Sequence, residues 1–226
     1  MKALPTPPLL VITDRKQASK PLLEIALALF AGGCRWISLR EPDLPMHERV
    51  NLLYRLVNYG ERAKARVSVH ADYAAAMTTG AGGVHLPRHG SIKTARAYLG
   101  NRATVGISTH DRNEVQQAAA LGADYVTLSP IFDSASKPGY GPAIGLKGLA
   151  EIAKSVPIPI YALGGVDASN AAQCLAAGAA GVAIMGAAMR ADDPEAMIRE
   201  VIAAVGRPLV TVPAGDHSRT KPAPSP

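Results

Sequence analysis

Short apolar runs alternate with longer amphipathic stretches along almost the whole chain. The runs are rich in strand-forming residues and comprise Leu9–Ile12, Trp36–Leu39, Val67–His70, Gly83–Leu86, Thr104–Ser108, Tyr125–Ser129, Ile158–Leu163 and Val182–Met185. Between them, apolar residues recur three or four positions apart, as in Leu22–Phe30, Arg49–Tyr59 and Asn113–Leu121. That spacing is typical of amphipathic helices, so the pattern predicts an α/β fold.

Strand–helix units of this number are what a (β/α)8 barrel, also called a TIM barrel, requires. A doubly wound open sheet shares the alternation, so the count alone leaves both architectures open. An internal repeat favours the barrel, because Gly80, Gly122 and Gly178 each stand where a helix should stop before a strand. Glycine permits the left-handed turn that ends many helices. We predict a single (β/α)8 barrel over residues 1–206.

The composition is typical of a globular protein without membrane segments. Hydrophobic residues make up 48% of the chain, yet no apolar run reaches the roughly 18 residues that a membrane span needs. Cys34 and Cys174 lie far apart in apolar surroundings and are expected to be core residues. Met1–Pro8 is too short and too broken by prolines for a secretory signal, so we expect a cytoplasmic protein with no membrane partner.

The C-terminal stretch differs from the rest of the chain. Residues 207–226 hold five of the 18 prolines and little that could be buried. Such a composition cannot form a packed core, so we predict a disordered tail that carries no chemistry.

The charge balance bears on the kind of partner. A formal charge of +6 is compatible with nucleic-acid binding, but the basic residues are scattered and aromatic residues make up only 4% of the chain. There is therefore little on which bases could stack. A basic balance also suits an enzyme of phosphorylated anions, and we favour that interpretation. Whether the protein is a homo-oligomer stays open.

Candidate catalytic and binding residues follow the apolar runs, because a (β/α)8 barrel builds its active site at the C-terminal ends of its strands. His110 stands just past the fifth run, where Thr109 or Asp111 is expected to cap the helix that follows. An imidazole there is suited to proton transfer near neutral pH, although a surface histidine at a helix start is the alternative. Arg40 follows the second run, His70 ends the third and Ser108 ends the fifth, and all three are predicted to bind substrate.

A second group of residues is suited to anion binding. A Gly-Gly pair follows the seventh run and a Met-Gly-Ala sequence the eighth, both with backbone N–H groups suited to an anion, and hydroxyls and an ammonium group follow the sixth. The alternatives are a tight turn and an ordinary exposed loop. The predicted phosphate- or carboxylate-binding residues are Gly164, Gly165, Met185, Gly186, Ser134, Ser136 and Lys137.

The chain resembles the thiamin phosphate synthase/TenI family of small (β/α)8 barrels from Leu9 to about Val205. The segments that carry this resemblance are Ile12-Thr13-Asp14, Leu39-Arg40-Glu41, Gly83-Val84-His85-Leu86, Gly106-Ile107-Ser108-Thr109-His110, Gly122-Ala123-Asp124-Tyr125-Val126, Pro130-Ile131-Phe132 with Ser136-Lys137, Leu163-Gly164-Gly165-Val166 and Ala177-Gly178-Ala179 with Gly181-Val182. The resemblance implies one of two activities. A synthase joins an aminopyrimidine pyrophosphate to a thiazole phosphate with Mg²⁺, whereas a TenI-type tautomerase aromatises a thiazole carboxylate phosphate without metal.

Departures from the synthase pattern favour the tautomerase. The motif Gln-Leu-Arg-Glu-Lys of the synthases reads Ser38-Leu39-Arg40-Glu41-Pro42, and their Asn-Asp pair falls on His70-Ala71. Their acidic position beyond the fourth strand falls within residues 87–90, which contain no carboxylate. Asp72 lies one residue away, and in an extended strand its side chain would face the other way. Mg²⁺ prefers oxygen ligands, and neither the Ala71 side chain nor those of Pro87 and Arg88 can supply them.

The resemblance therefore implies a metal-independent thiazole tautomerase, an isomerase, with a phosphorylated thiazole as substrate. His110 would move the proton, the serines and glycine loops would hold the phosphate, and Arg40 or Lys137 would hold the carboxylate. No cofactor is expected, and Mg²⁺ is expected only for a synthase. One alternative is a divergent thiamin phosphate synthase that uses Asp72, Asp133 or substrate oxygens for the metal. Another is a non-catalytic barrel that senses phosphorylated ligands.

Overall fold

The computed structural model describes residues 2–133 and 142–206, and it shows a closed barrel of parallel strands. In chain order the strands are β1 Leu9–Ile12, β2 Trp36–Leu39, β3 Arg66–His70, β4 Gly83–Leu86, β5 Thr104–Thr109, β6 Tyr125–Leu128, β7 Ile160–Ala162 and β8 Gly181–Ile184. Each strand pairs with its sequence neighbours, and β1 also pairs with β8. This closure confirms the predicted (β/α)8 barrel and excludes the open sheet.

Helices cover the outside of the barrel. They are α1 Leu22–Ala31, α2 Met46–Arg62, α3 Tyr73–Thr79, α4 Ile92–Leu99, α5 Arg112–Ala120, α6 Gly145–Lys154, α7 Ala171–Ala176, α8 Gly186–Met189 and α9 Pro194–Gly206, with a 3₁₀ turn at Arg15–Gln17. Cys34 and Cys174 are buried and unbridged, as expected of core residues. No helix in the described ranges is long and apolar enough to cross a membrane. The predicted tail, 207–226, lies outside those ranges.

Strand β7 is shorter than the apolar run that predicted it. The run begins at Ile158, but the strand begins at Ile160. Pro157 and Pro159 have no N–H to donate to a neighbouring strand, so the ladder cannot form before Ile160. The Pro159 carbonyl still accepts a hydrogen bond from the N–H of Val126. The chain is thus held against β6 before the strand itself starts.

Aromatic side chains fill the barrel interior. The Trp36 ring lies edge-on to Tyr125 and Tyr161, with centroid distances of 4.7 and 5.3 Å, and all three side chains are buried. Two glycines make room for the tyrosines. A Cβ at Gly106 would lie 2.1 Å from Cζ of Tyr125, and one at Gly181 would lie 2.5 Å from Cε1 of Tyr161. The aromatic cluster closes the barrel beneath its C-terminal rim.

The repeated glycines end helices as predicted. Gly80 has φ 72° and caps α3, while Gly122 and Gly178 have φ 82° and 96° just after the last residues of α5 and α7. These left-handed turns redirect the chain into β4, β6 and β8. The internal repeat is therefore a repeat of helix-to-strand turns.

A carboxylate at the start of β6 joins three separate segments. Asp124 accepts hydrogen bonds from the Val105 N–H and Arg96 Nη2, both at 2.8 Å, and from Lys2 Nζ at 3.1 Å. Burial alone would raise the pKa of Asp124, but the hydrogen bonds from Arg96, Val105 and Lys2 outweigh it and lower the pKa below its ordinary value.

We expect Asp124→Asn to lose about 2 kcal/mol of unfolding free energy near neutral pH, because charge-assisted hydrogen bonds are lost. A lowered pKa stabilises the fold above the ordinary carboxyl pKa and ceases to do so as pH falls through the folded value. The difference from wild type should therefore shrink in acid. Urea unfolding at several pH values measures it, with the exposed Asp192→Asn as control. An equal loss at every pH would contradict the ionic role.

Candidate functional site

The C-terminal ends of all strands meet at one rim, because the barrel is closed and parallel. Most of the sequence-predicted site residues lie at or just past these ends: Arg40, His70, Ser108, His110, Gly164, Gly165, Met185 and Gly186. Ser134, Ser136 and Lys137 lie outside the described residues. The rim above the aromatic cluster is the candidate active site.

His110 is held in a defined orientation at the end of β5. Its Nδ1 lies 2.7 Å from the carbonyl oxygen of Ser129, and its backbone N–H donates to Glu114 Oε2 at 2.8 Å. Asp111, one of the two residues predicted as the cap, caps helix α5 by accepting from the Glu114 N–H. A carbonyl only accepts, so Nδ1 carries the proton in the neutral ring and Nε2 carries the lone pair. This tautomer suits Nε2 to take up a proton.

His85 contacts residues of the candidate site but was not among the predicted site residues. It is fully buried, pointing into the barrel from β4, with Nδ1 2.9 Å from the Tyr125 hydroxyl and Nε2 3.0 Å from Ser108 Oγ. Its ring centroid lies 4.7 Å from that of His70. Burial lowers the pKa of His85 from 6.5 to about 3. The sequence signal for this residue was strand alternation, which places the His85 side chain on the same face of β4 as Gly83.

We expect the neutrality of His85 to make the fold acid-sensitive. The unfolded chain takes up a proton at this histidine near pH 6.5, whereas the folded protein does so only near pH 3. Stability is therefore complete above the unfolded pKa and is lost as pH falls, by up to about 1.4 kcal/mol per pH unit from this residue. Unfolding titrations between these pH values should show a shallower decline for His85→Asn, while the exposed His89→Asn should follow wild type. Parallel curves for all three proteins would contradict the assignment.

The rim near β2 combines a cation with a buried acid. Arg40 is half-buried, and its backbone N–H donates a hydrogen bond to Thr13 Oγ1 at 2.9 Å. Within residues 2–133 and 142–206, no carboxylate pairs with the Arg40 guanidinium. Glu41 is buried and accepts from the Arg15 N–H through both oxygens, at 3.1 and 3.2 Å. Burial raises the pKa of Glu41. Glu41 therefore fixes the β1–α1 connection, and Arg40 stays a predicted anion-binding residue at the strand end.

Gly164 and Gly165 have structural reasons to be glycine. Both have positive φ, 93° and 64°. A Cβ at Gly164 would lie 2.8 Å from Pro130 Cα, and one at Gly165 would lie 2.4 Å from the Asp133 carbonyl oxygen. The Gly164 carbonyl accepts from the Phe132 N–H at 3.0 Å. The pair therefore packs the loops after β6 and β7 together, whether or not its N–H groups also bind phosphate.

The positions that correspond to the synthase metal ligands offer little for Mg²⁺. Asp72 was expected to follow an extended strand, and this was wrong: the chain turns at Ala71, whose φ is 55°, and Asp72 caps α3 through the Ala75 N–H. The same carboxylate pairs with Arg49 at 2.7 Å. Arg88, beyond β4, pairs with Glu114. No cluster of three potential metal-ligating residues lies within the described part of the chain. These residues do not fit a magnesium site.

The chain is similar to named proteins over most of its length. The model of a family described as thiamine monophosphate synthase (TMP-TENI) matches residues 9–188. A thiamine-phosphate synthase from Roseiflexus sp. (strain RS-1) is 36% identical over 88% of this chain and 85% of its own. A Geobacter sulfurreducens protein whose name assigns that activity provisionally is 38% identical over 86% of this chain and 92% of its own.

A solved structure agrees with this family. Thiamine phosphate pyrophosphorylase from Pyrococcus furiosus superimposes with a TM-score of 0.79 at 30% identity, covering 87% of this chain and 94% of that one. The names of these relatives point to a transferase, the alternative in our sequence interpretation, rather than to the isomerase that we favoured. Sequence and structure together show that this chain belongs to the thiamine monophosphate synthase/TenI family of thiamin-biosynthesis enzymes.

Proposed function

We propose that this protein binds a phosphorylated thiazole at the barrel rim and moves a proton on it, as a thiazole tautomerase. The observation that carries the proposal is the orientation of His110, whose Nδ1 is held by the Ser129 carbonyl so that Nε2 carries the lone pair. Such a ring can accept a proton and return it at another atom of the substrate. That exchange is the whole of a tautomerisation, and it needs no leaving group.

The metal positions support proton transfer over pyrophosphate release. Ala71 has no ligand atom, and Asp72 is already committed to Ala75 and Arg49. Departure of pyrophosphate calls for charge neutralisation, which the residues at these positions do not provide. Among the residues that the structure describes, Arg40 is our candidate for holding a substrate carboxylate, because its guanidinium can bind both carboxylate oxygens.

Anion binding is the part of the proposal shared by both activities. Gly164, Gly165, Met185 and Gly186 follow the last two strands, where barrels of this class hold phosphate. Ser134, Ser136 and Lys137 stay candidate phosphate or carboxylate ligands by sequence alone.

Thiamin phosphate synthase is the second candidate, and the names of the relatives favour it. Asp72 is a poor metal ligand for the reasons given. Asp133, which is exposed on the loop after β6, stays available to a metal together with substrate oxygens. In such an enzyme His110 and the phosphate-binding residues would serve the same thiazole phosphate.

One pair of assays separates the two activities. In the first, purified protein is incubated with the thiazole carboxylate phosphate tautomer with and without EDTA, and we expect aromatisation in both. In the second, it is incubated with aminopyrimidine pyrophosphate, thiazole phosphate and Mg²⁺, and we expect no thiamin phosphate. Magnesium-dependent formation of thiamin phosphate would replace our proposal with the synthase. Thiazole phosphate binding without either reaction would support the ligand-sensing barrel.

A further inference from the structure

A chain of hydrogen bonds runs from the barrel interior to its rim. The Tyr125 hydroxyl lies 2.9 Å from His85 Nδ1, and His85 Nε2 lies 3.0 Å from Ser108 Oγ. Thr127 Oγ1 is a more distant neighbour of the same nitrogen, at 3.3 Å. Tyr125 and His85 are completely buried, whereas Ser108 is half-buried at the end of β5. The buried pair Tyr125–His85 can therefore control where the hydroxyl proton of Ser108 points.

The partner at Nδ1 favours one proton placement in these hydrogen bonds, because the Tyr125 contact is shorter than the Thr127 contact at Nε2. A neutral imidazole has one N–H and one lone pair, so it must accept on one side and donate on the other. If Nδ1 donated to Tyr125, the buried phenol would have no acceptor for its own proton among the described residues. A phenol is also a better donor and a poorer acceptor than an alkyl hydroxyl. The arrangement that satisfies Tyr125 has its hydroxyl donating to Nδ1 and Nε2–H donating to Ser108.

We propose that Tyr125 and His85 act as positioning residues that turn the hydroxyl proton of Ser108 towards the rim, where it donates to an acceptor atom of the bound ligand. Ser108 accepts from His85 and makes no other side-chain hydrogen bond within the described ranges. Its proton therefore points away from the histidine. The rim then selects a ligand with a carbonyl, carboxylate or bare ring-nitrogen acceptor at this point over one with an N–H donor.

This relay, the hydrogen-bonded series Tyr125–His85–Ser108, rests on the proposed ligand site at the rim. It does not depend on which reaction occurs there. Its first half is tested without any ligand, by imidazole nitrogen NMR of the protein labelled with nitrogen-15 at histidine. We expect His85 to be protonated at Nε2 and bare at Nδ1, and to lose this single tautomer in Tyr125→Phe. A proton on Nδ1 in the wild type, or an unchanged spectrum in Tyr125→Phe, would overturn the relay.

Its second half is tested by a double-mutant cycle on the binding of thiazole phosphate, measured by calorimetry. We expect Ser108→Ala and Tyr125→Phe each to weaken binding by about tenfold, the effect of one well-placed hydrogen bond. The double variant should bind as Ser108→Ala does, because Tyr125 acts only through that hydroxyl. Full additivity, or no effect of Ser108→Ala, would show that the relay does not act on the ligand.

Tyr161→Phe is the matched control. Tyr161 belongs to the same buried aromatic cluster, and its hydroxyl bonds to neither His85 nor Ser108. The same atom is removed from the same core, so the His85 spectrum and the affinity should stay as in wild type. Equal effects of both tyrosine variants would assign the change to packing and reject the relay. If wild type binds no thiazole phosphate, the proposed function fails while the NMR result still decides the tautomer.

Discussion

The His110→Ala variant is expected to lose about 10²–10⁴-fold in turnover of the thiazole carboxylate phosphate tautomer, the contribution typical of a general acid–base residue. The reason is geometric, because the imidazole is the rim group whose tautomer is fixed for proton uptake. Substrate affinity should change little, because the phosphate-binding residues are untouched. Steady-state kinetics separate the two effects: kcat should fall far more than KM rises.

Two further variants sharpen this test. His110→Asn retains a side-chain donor towards Ser129 but cannot exchange a proton near neutral pH, so it should be as inactive as alanine. His47, whose side chain is 83% exposed near the start of α2 beside Glu48, is the exposed histidine control, and His47→Ala should retain full turnover. Substantial activity in His110→Asn would assign His110 to positioning rather than to proton transfer.

The Gly106→Ala substitution is expected to cost about 3 kcal/mol of unfolding free energy or to prevent folding. The added Cβ would lie 2.1 and 2.2 Å from Cζ and Cε1 of Tyr125. Such contacts force a ring out of place in a close-packed interior, and overpacking of this kind costs about 1–3 kcal/mol before hydrogen bonds are counted. Tyr125 would also lose its bond to His85. Urea or thermal unfolding measures the loss.

Gly206→Ala is the control for this substitution. Gly206 is exposed at the end of α9, and a Cβ there would meet no heavy atom of the described residues within 4 Å. Alanine also has the higher helix propensity, so stability should stay unchanged or rise slightly. Equal stability of the two alanine variants would mean that Tyr125 does not occupy the space above Gly106.

Strand positions could be predicted from the sequence because buried parallel strands are continuous apolar runs. β1, β2 and β4 coincide with their runs, and His110 stands at the strand end where it was expected. The His85–Tyr125–Ser108 contacts could not be predicted, because they join three strands. Which inward side chains meet depends on strand register and barrel closure, and neither is encoded in local periodicity.

Asp72 shows a second limit of local pattern. The sequence interpretation extended the alternation of β3 through Asp72. In the structure β3 ends at His70, the chain turns at Ala71, and Asp72 caps helix α3. A left-handed alanine is uncommon, so nothing in the local sequence signals that turn. The preference of aspartate for helix N-caps was the cue that outweighed strand alternation here. The sequence showed which residues replace the synthase's metal ligands, but it did not show the backbone geometry at those positions.

The turn at Ala71 has an evolutionary consequence. Its φ of 55° costs alanine about 1–2 kcal/mol, whereas aspartate and asparagine tolerate that conformation better. Alanine codons that end in a pyrimidine are a single nucleotide from aspartate, so Ala71→Asp would place a carboxylate here and relieve strain without moving the main chain. At this position, the proposed tautomerase and a metal-binding synthase would differ by a side chain alone. This single difference between the two activities is therefore short in mutational distance.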